Sequence, residues 1–324
     1  MLLLTIISFI TLIGCFPKVH LFPDEREPLQ EFTIEGHEKG KVLVIPIIGF
    51  LSDSSKEGLI REKPSIVQEI VSQLRRAEKD KEIKAVLLKI NSPGGTSVAS
   101  DLIYHELLSF KRRTGVKIVV EMMDVAASGG YYIALTADLI CAHPLTITGS
   151  VGVIFIRPDI SGLLNKIGVN VTITKSGLNK DMGNFLCPAT EKEIAMFQNF
   201  VDEYGKNFIN LVIKHRKIEE RALADITTAR IYSAKDALKF KLIDKIGYID
   251  DALVNAKELA GLSKEAKVVV YRRSRYSEDT IYNDVSSSSN IIKLTLVDFG
   301  LSESMQALHP GFYYLWVPAD STKR

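Results

Sequence analysis

Three short runs of this chain are apolar almost from end to end, and two of the gaps between them carry helical spacing. The runs are Lys41 to Phe50 (KVLVIPIIGF), Ala85 to Ile90 (AVLLKI) and Lys117 to Met122 (KIVVEM). A strand that is apolar on both faces has to be covered on both faces. Between the first two runs, PSIVQEIVSQLRRAEKD sets Ile66, Val67, Ile70, Val71, Leu74 and Ala77 along one side of a helix. Between the second and third, SVASDLIYHELLSFKRR is amphipathic in the same way. Strands alternating with helices at this spacing predict parallel β-α-β units joined by right-handed crossovers. The expected class is therefore α/β, with repeated β-α-β units, a mostly parallel sheet, and a long helix after the core.

Further along, SGGYYIALTAD predicts a short helix, LICA a strand, and Asn170 to Lys175 (NVTITK) another strand. Thr190 to Lys217 predicts the long helix. It opens on a T-x-x-E capping box formed by Thr190 and Glu193 and is lined on one face by Phe197, Val201, Tyr204, Phe208, Leu211 and Val212. Two shorter helices, near 233–238 and 250–260, precede a last strand in KVVVYRR, and the serine run 286–289 reads as a loop or hinge. No internal repeat is visible. The domain reading is 1–16 as signal peptide or short membrane anchor, 17–39 as linker, 40–274 as the folded domain, and 275–324 as a C-terminal extension with no assigned role.

The opening MLLLTIISFITLIGCF is apolar for about 15 residues, short of the roughly 20 a membrane-spanning helix needs. It suits a secretory core segment. Leu12-Ile13-Gly14-Cys15 also resembles a bacterial lipobox, where the chain would be cut before Cys15 and that cysteine lipidated. No basic residue precedes the apolar run, and a buried N-terminal helix is the alternative. The expectation is attachment to a bacterial cell membrane, with the remainder on the extracytoplasmic side.

Composition excludes some classes. A net charge of +2 gives no electrostatic pull on nucleic acid. Cys15, Cys141 and Cys187 form neither a disulfide framework nor a metal-ligand spacing, and the six histidines are scattered. No metal and no cofactor is called for.

Two loops carry chemistry. In parallel sheets, ligands bind at the carboxyl ends of the strands, and glycine-rich loops follow the second and third apolar runs. INSPGGTSVAS offers Gly94 and Gly95, whose bare backbone lets an N–H face a small anion. MMDVAASGGYYIA centres on Ser128, with Gly129 supplying a further N–H. Two such donors aimed at one point make an oxyanion hole, where losing one costs about 3 kcal/mol in a protease. The plainer alternatives are a Pro93-Gly94 turn and Ser128 as a helix N-cap. A serine nucleophile needs a base, and none of His20, His37, His105, His143, His215 or His309 stands where a partner is expected. A lysine serves if it is neutral. About one free lysine in a thousand is neutral at pH 7.4, and burial lowers the pKa by roughly three units. TKSGLNKDMGN holds Lys175 and Lys180 around a Ser-Gly turn, where both also suit a solvated loop.

In order along the chain, LKINSPGG, AASGGYYIA, TGSVGV and KSGLNKD resemble the signal peptide peptidase family SppA, or protease IV. ARIYSAKDALKFKLIDKIGYIDDA resembles the segment that follows the family's long helix, so the likeness runs from about Lys41 to Ala260. The resemblance implies a Clp-protease/crotonase-like fold and a Ser–Lys dyad, with Ser128 as nucleophile and Lys180 as general base. It also implies an oxyanion hole from Gly94 or Gly95 with Gly129, and apolar peptide substrates such as released signal peptides. Short relatives form homo-oligomeric rings in which one site takes its serine and lysine from adjacent subunits, so the two are expected apart within one chain. One departure stands out: Lys241 occupies a position where relatives usually carry glycine. The same fold class admits three other readings. These are a crotonase-type acyl-CoA enzyme using Asp124 or Glu121, a Clp protease with a histidine base and an ATPase partner, and a non-catalytic membrane-anchored scaffold.

Overall fold

The apolar runs form the centre of one large sheet. The computed structural model describes residues 28–57, 62–276, 278–283 and 311–317; the N-terminal apolar segment and the serine run lie outside them. In chain order the strands of the main sheet and the helices that cover it begin with β1 (Gln30–Glu35) and β2 (Glu38–Ile48). A short hairpin of β3 (Lys56–Glu57) and β4 (Glu62–Lys63) leads to α1 (Ile66–Lys79). Then follow β5 (Ile83–Ser92), β6 (Gly94–Thr96), α2 (Ser97–Thr114), β7 (Lys117–Ala127), α3 (Gly129–Ala134) and β8 (Leu139–Ala142). Next come β9 (Ile147–Gly149), β10 (Ile154–Ile156), α4 (Ser161–Lys166), α5 (Glu191–His215) and α6 (Glu220–Ile226). The remainder is β11 (Ile231–Ser233), α7 (Ala234–Lys239), β12 (Lys245–Ile246), α8 (Ile249–Leu259), β13 (Ala266–Arg272) and β14 (Gly311–Leu315).

The strand order is β1-β13-β2-β5-β7-β8-β12, parallel throughout except for β1, which runs antiparallel to β13. Alternate side chains divide between two cores, as strand geometry requires. Leu43, Ile45, Ile47, Val86, Leu88 and Ile90 face the larger core, shared with α1, α2 and α3. Val42, Val44, Ala85 and Leu87 face the smaller one, closed by Ile249, Leu253 and Ala256 of α8. Local signals agree with this packing. Ser65 and Gln68 form a reciprocal capping box on α1, and Thr190 and Glu193 do so on α5. Helix α2 ends on Gly115, which takes the left-handed conformation at φ 72°.

Three segments differ from the sequence reading. Asn170–Lys175 forms no strand; those residues are mostly exposed, and β-branched alternation makes a strand only beside a neighbouring strand. Gln30–Glu35, read as linker, forms β1, because β13 presents an edge on which it pairs. Gly311–Leu315, within the extension of no assigned role, forms β14 and packs into the domain. The departure at Lys241 also has a physical meaning. Its φ is +61°, a left-handed conformation that glycine adopts without strain, and Arg216 Nε donates to its carbonyl at 2.8 Å.

One buried carboxyl crosses the sheet interior. Glu121 on β7 lies between Lys89 of β5 and Cys141 of β8, on the face covered by α8, and is fully buried. Neither of its oxygens has a hydrogen-bond partner among the described residues. Burial, and then the Asp251 carboxylate, push its pKa from the ordinary 4.5 up to about 8. A folded pKa above the unfolded one means the protonated form favours the native state. That contribution is complete below pH 4.5 and is lost as pH rises toward 8. Urea denaturation across that window should show stability falling by roughly 1 kcal/mol per pH unit from this group. Glu121→Gln is expected to flatten that slope; an unchanged slope in the variant would locate the titration elsewhere.

Candidate active site

The strand-to-helix corner at Ser128 is built from small residues for a steric reason. Strand β7 outruns its neighbour β8, and its last residues, Val125 to Ala127, turn to pair with β9. Ser128 then takes φ 52°, ψ −114°, a conformation that costs a non-glycine residue about 1–3 kcal/mol. It is held there from both sides. Its N–H donates to the Gly149 carbonyl at 2.8 Å, and its carbonyl accepts from Tyr132 N at 2.8 Å. Thr148 Oγ1, donating to the Ala126 carbonyl at 2.6 Å, fixes the adjoining TGSVGV segment.

The two glycine loops meet. A Cβ placed on Gly94 would lie 2.7 Å from the Gly129 nitrogen and would overlap the Tyr314 carbonyl oxygen. One on Gly129 would overlap Ser100 Oγ and lie 3.0 Å from that same Tyr314 oxygen. One on Gly130 would lie 2.7 Å from the Ser92 carbonyl. Gly95 faces the other way, against Leu51, whose carbonyl accepts from Thr96 N at 2.9 Å and whose N–H donates to the Gly94 carbonyl at 3.0 Å. Gly94 and Gly129 are thus gathered around the Tyr314 carbonyl, while Gly95 lies against Leu51.

Ser128 is buried, and its Oγ has no hydrogen-bond partner among the described residues. It occupies the N-cap position of α3 without capping it, so its hydroxyl is not spent on the helix. Three of the described histidines are engaged elsewhere. His215 Nε2 lies 2.7 Å from Tyr104 Oη, and burial lowers its pKa; His143 packs its ring on Tyr248; His105 lies beside Ser109. Lys180 sits exposed in a turn, its N–H donating to the Gly177 carbonyl at 3.1 Å, while Lys175 pairs with Asp181 at 2.6 Å. Within one chain, then, Ser128 and Lys180 are not hydrogen-bonded. Asp124 is exposed and accepts from Asn91 Nδ2 at 3.3 Å. Among the described residues no cluster of histidine, cysteine and carboxylate could hold a metal.

Sequence reasoning missed three contributors. Ser92 Oγ donates to the Gly49 carbonyl at 2.7 Å and accepts from Gly94 N at 3.1 Å, which sets the height of the first glycine loop. Ser100, whose Oγ donates to the Thr96 carbonyl at 3.0 Å, closes the far side of Gly129. Strand β14 supplies the carbonyl between the loops; its signal was the aromatic run GFYYLW at 311–316.

A developing oxyanion is stabilised by backbone donors held close together, which makes the approach of these two loops the feature to test. Gly94→Ala adds a side chain at φ +100° against backbone on two sides. The variant is expected to lose at least about a hundredfold in hydrolysis of an apolar peptide ester. Its thermal unfolding should remain cooperative. Full activity in the variant would mean that the loops need not stand this close.

Several proteins similar to this chain are peptidases. The family model for peptidase family S49 matches residues 110–263, and that for Clp protease matches residues 60–142. The chain is 34% identical over 252 residues to an Enterococcus faecium protein named as signal peptide peptidase SppA, covering 78% of this chain and 73% of that one. It is 30% identical to the chloroplastic serine protease SPPA of Arabidopsis thaliana over 79% of this chain, and 33% identical to protease 4 of Salmonella typhi over 74% of it. It spans only 39% and 37% of the length of those two proteins. The chain belongs to peptidase family S49, the SppA and protease 4 group, and is a serine peptidase with a Clp-protease-like α/β fold.

Proposed function

We propose that this peptidase cuts apolar peptides, released signal peptides among them, through an acyl-enzyme on Ser128, with Lys180 of a neighbouring copy as the base. The observation that carries the reading is the state of Ser128: a strained, buried serine with an unpartnered hydroxyl beside the Gly94 and Gly129 backbone. Lys180 takes the Ser128 proton as Oγ attacks the peptide carbonyl. The tetrahedral oxyanion forms against the N–H of Gly129 and that of Gly95, or that of Gly94 once it leaves Ser92 Oγ. Lys180 then returns the proton to the leaving amine, and water, activated by the same route, releases the acyl group. A lysine serves as base only when desolvated, and a second subunit supplies that desolvation.

The surface around Lys180 supports a neighbour. Leu163, Ile167, Leu178, Phe185 and Ile194 are all exposed, Leu178 at 73%. Large apolar side chains gathered on one segment mark a face that another surface covers, and a ring of identical chains covers it by repetition. The apolar residues 1–16 would hold this assembly at the membrane, where apolar peptides collect; among the described residues no helix is long and apolar enough to cross it.

Lys180→Arg keeps a cation that cannot lose its proton. It is expected to lower kcat for peptide-ester hydrolysis by at least about a thousandfold without a comparable change in KM. Mixed assemblies of Ser128→Ala and Lys180→Ala subunits should regain activity, because some sites then hold both intact residues. An active Lys180→Arg enzyme would remove Lys180 as base, and mixtures that stay inactive would place both residues in one chain. For the anchor, deleting residues 1–16 should move the protein from the membrane pellet to the supernatant on cell fractionation. Retention in the pellet would refute that role.

A further inference from the structure

Strand β7 changes its relation to both neighbours within three residues, just ahead of Ser128. Against β5 it keeps a one-to-one register from Ala85 opposite Lys117 to Ile90 opposite Met122. The next pair is Ser92 with Ala126, so β5 has advanced two residues and β7 four. Two residues of β7 are therefore looped out, a bulge within 123–125. On its other side β7 leaves β8 after Met122, opposite Ala142, and joins β9 at Val125, opposite Ile147. Main-chain groups in such a bulge lose their ladder partners and need others.

Side chains supply those partners. Asn91 of β5 stands across from the bulge. Its Oδ1 accepts from Val125 N at 3.2 Å, and its Nδ2 donates to Asp124 Oδ2 at 3.3 Å. Its own main-chain carbonyl accepts from Gly49 N at 2.9 Å, which ties the residue to the end of β2 as well. From the other flank the buried Thr146 brings its Oγ1 to two carbonyls, Met122 at 2.8 Å and Met123 at 2.5 Å. A hydroxyl has one proton, so the two carbonyls share it. The bulge is thus clamped between an amide on β5 and a hydroxyl on the segment that leads into β9.

The register resumed beyond the bulge is the one the site uses. Ser92, opposite Ala126, is the residue whose Oγ bonds to the Gly49 carbonyl and to Gly94 N. Ala127 pairs with Gly149, whose carbonyl accepts the Ser128 N–H. A strand advances about 3.3 Å per residue and alternates its faces. A slip of one residue at the bulge would therefore move Ser128 by that length and turn its side chain to the other face. The bulged sequence itself, MMDV at 122–125, holds no glycine or proline to fix its shape. We propose that Asn91 and Thr146 are positioning residues for Ser128: together they fix the length of the bulge, and the bulge sets where the nucleophile stands against the Gly94 and Gly129 backbone. The effect on rate rests on the reading of Ser128 as nucleophile; the effect on register does not. Asp124 is then the outer end of the clamp, not an acid or base.

Exchanging donor and acceptor tests the clamp in the full chain. Asn91→Ala removes both side-chain bonds, and Asn91→Asp sets two carboxylates against each other. Asn91→Asp combined with Asp124→Asn keeps an acceptor for Val125 N and reverses the bond between the side chains. A misplacement of about 1 Å costs on the order of a hundredfold in rate. Each Asn91 single variant should therefore lower kcat for an apolar peptide ester at least about tenfold, with KM within about threefold of the unmodified chain. The double variant should recover kcat to within about threefold. Thr146→Val keeps the shape and loses the proton, so it should behave as Asn91→Ala does, and Thr146→Ser should restore kcat. Amide hydrogen exchange gives the second readout. Val125 and Ser128 should exchange at least about tenfold faster in Asn91→Ala and Thr146→Val, and at the original rate in the double variant and in Thr146→Ser. A double variant no better than Asn91→Asp, or Thr146→Ser no better than Thr146→Val, would overturn the clamp. So would unchanged kcat or unchanged exchange in Asn91→Ala. Failure of the dyad would show instead as an unmodified chain without esterase activity. Exchange at these amides needs neither nucleophile nor base, and it then decides the register alone.

Discussion

The approach of two backbones at Gly94 and Gly129 is the constraint on which the site depends. Strands β5 and β7 are neighbours in a parallel sheet, so the loops at their carboxyl ends start side by side. Side-by-side loops make a donor pair only if their main chains come nearly into contact. Here a single methyl group on either glycine would collide with the opposite loop or with the peptide between them. The bareness of AASGG and SPGG is thus a packing requirement before it is a catalytic one. Ser92 and Ser100 are its consequences: small hydroxyls that bond to backbone at the places where a larger side chain would force the loops apart.

The central sheet was legible because its residues report their surroundings directly. A run such as Leu43 to Ile47 is apolar at every position, and only a strand between two cores accounts for that. Caps were equally plain, as at Thr190 and Glu193, since both partners lie within four residues. What escaped depends on pairing over long separations. Residues 170–175 and 30–35 both alternate, yet only the second meets an edge, β13, more than 200 residues away. Strand β14 is the extreme case: five residues near the end of the chain whose partners sit at 94–96 and 154–156. The candidate site divides in the same way. Ser128 and the glycines stand out by local composition, whereas the base is named only through likeness to a family, because a loop lysine has no local signature of its task.

The chain distributes its apolar surface unevenly. Among the residues of β2, β5 and β7, the apolar side chains are almost wholly covered. Between 160 and 200 they are not: Leu163, Ile167, Leu178 and Ile194 stand exposed. A fold able to bury its strands so completely has no general shortage of cover. The exposed set lies on the segment that carries Lys180. In one chain Ser128 lies buried beside the Gly94 and Gly129 backbone, while Lys180 stands exposed in its turn and the two are not hydrogen-bonded to each other.

The strain at Ser128 is held in place by its surroundings. Ser128, Gly149 and Ser150 all take positive φ on facing segments, and Ser128 N–H bonds to the Gly149 carbonyl. A cost of about 1–3 kcal/mol at Ser128 persists only where the surroundings permit no alternative. Gly130 against Ser92, Tyr131 Oη donating to the Leu242 carbonyl at 2.8 Å, and Tyr132 Oη donating to Asp101 at 2.8 Å hold α3 so firmly that the corner before it cannot relax. Tyr132 also forms the wall against which Tyr314 stacks. The helix that holds the serine in its strained conformation is thus also the helix on which β14 packs. Changes to that face of α3 will reach Ser128 through one turn of chain.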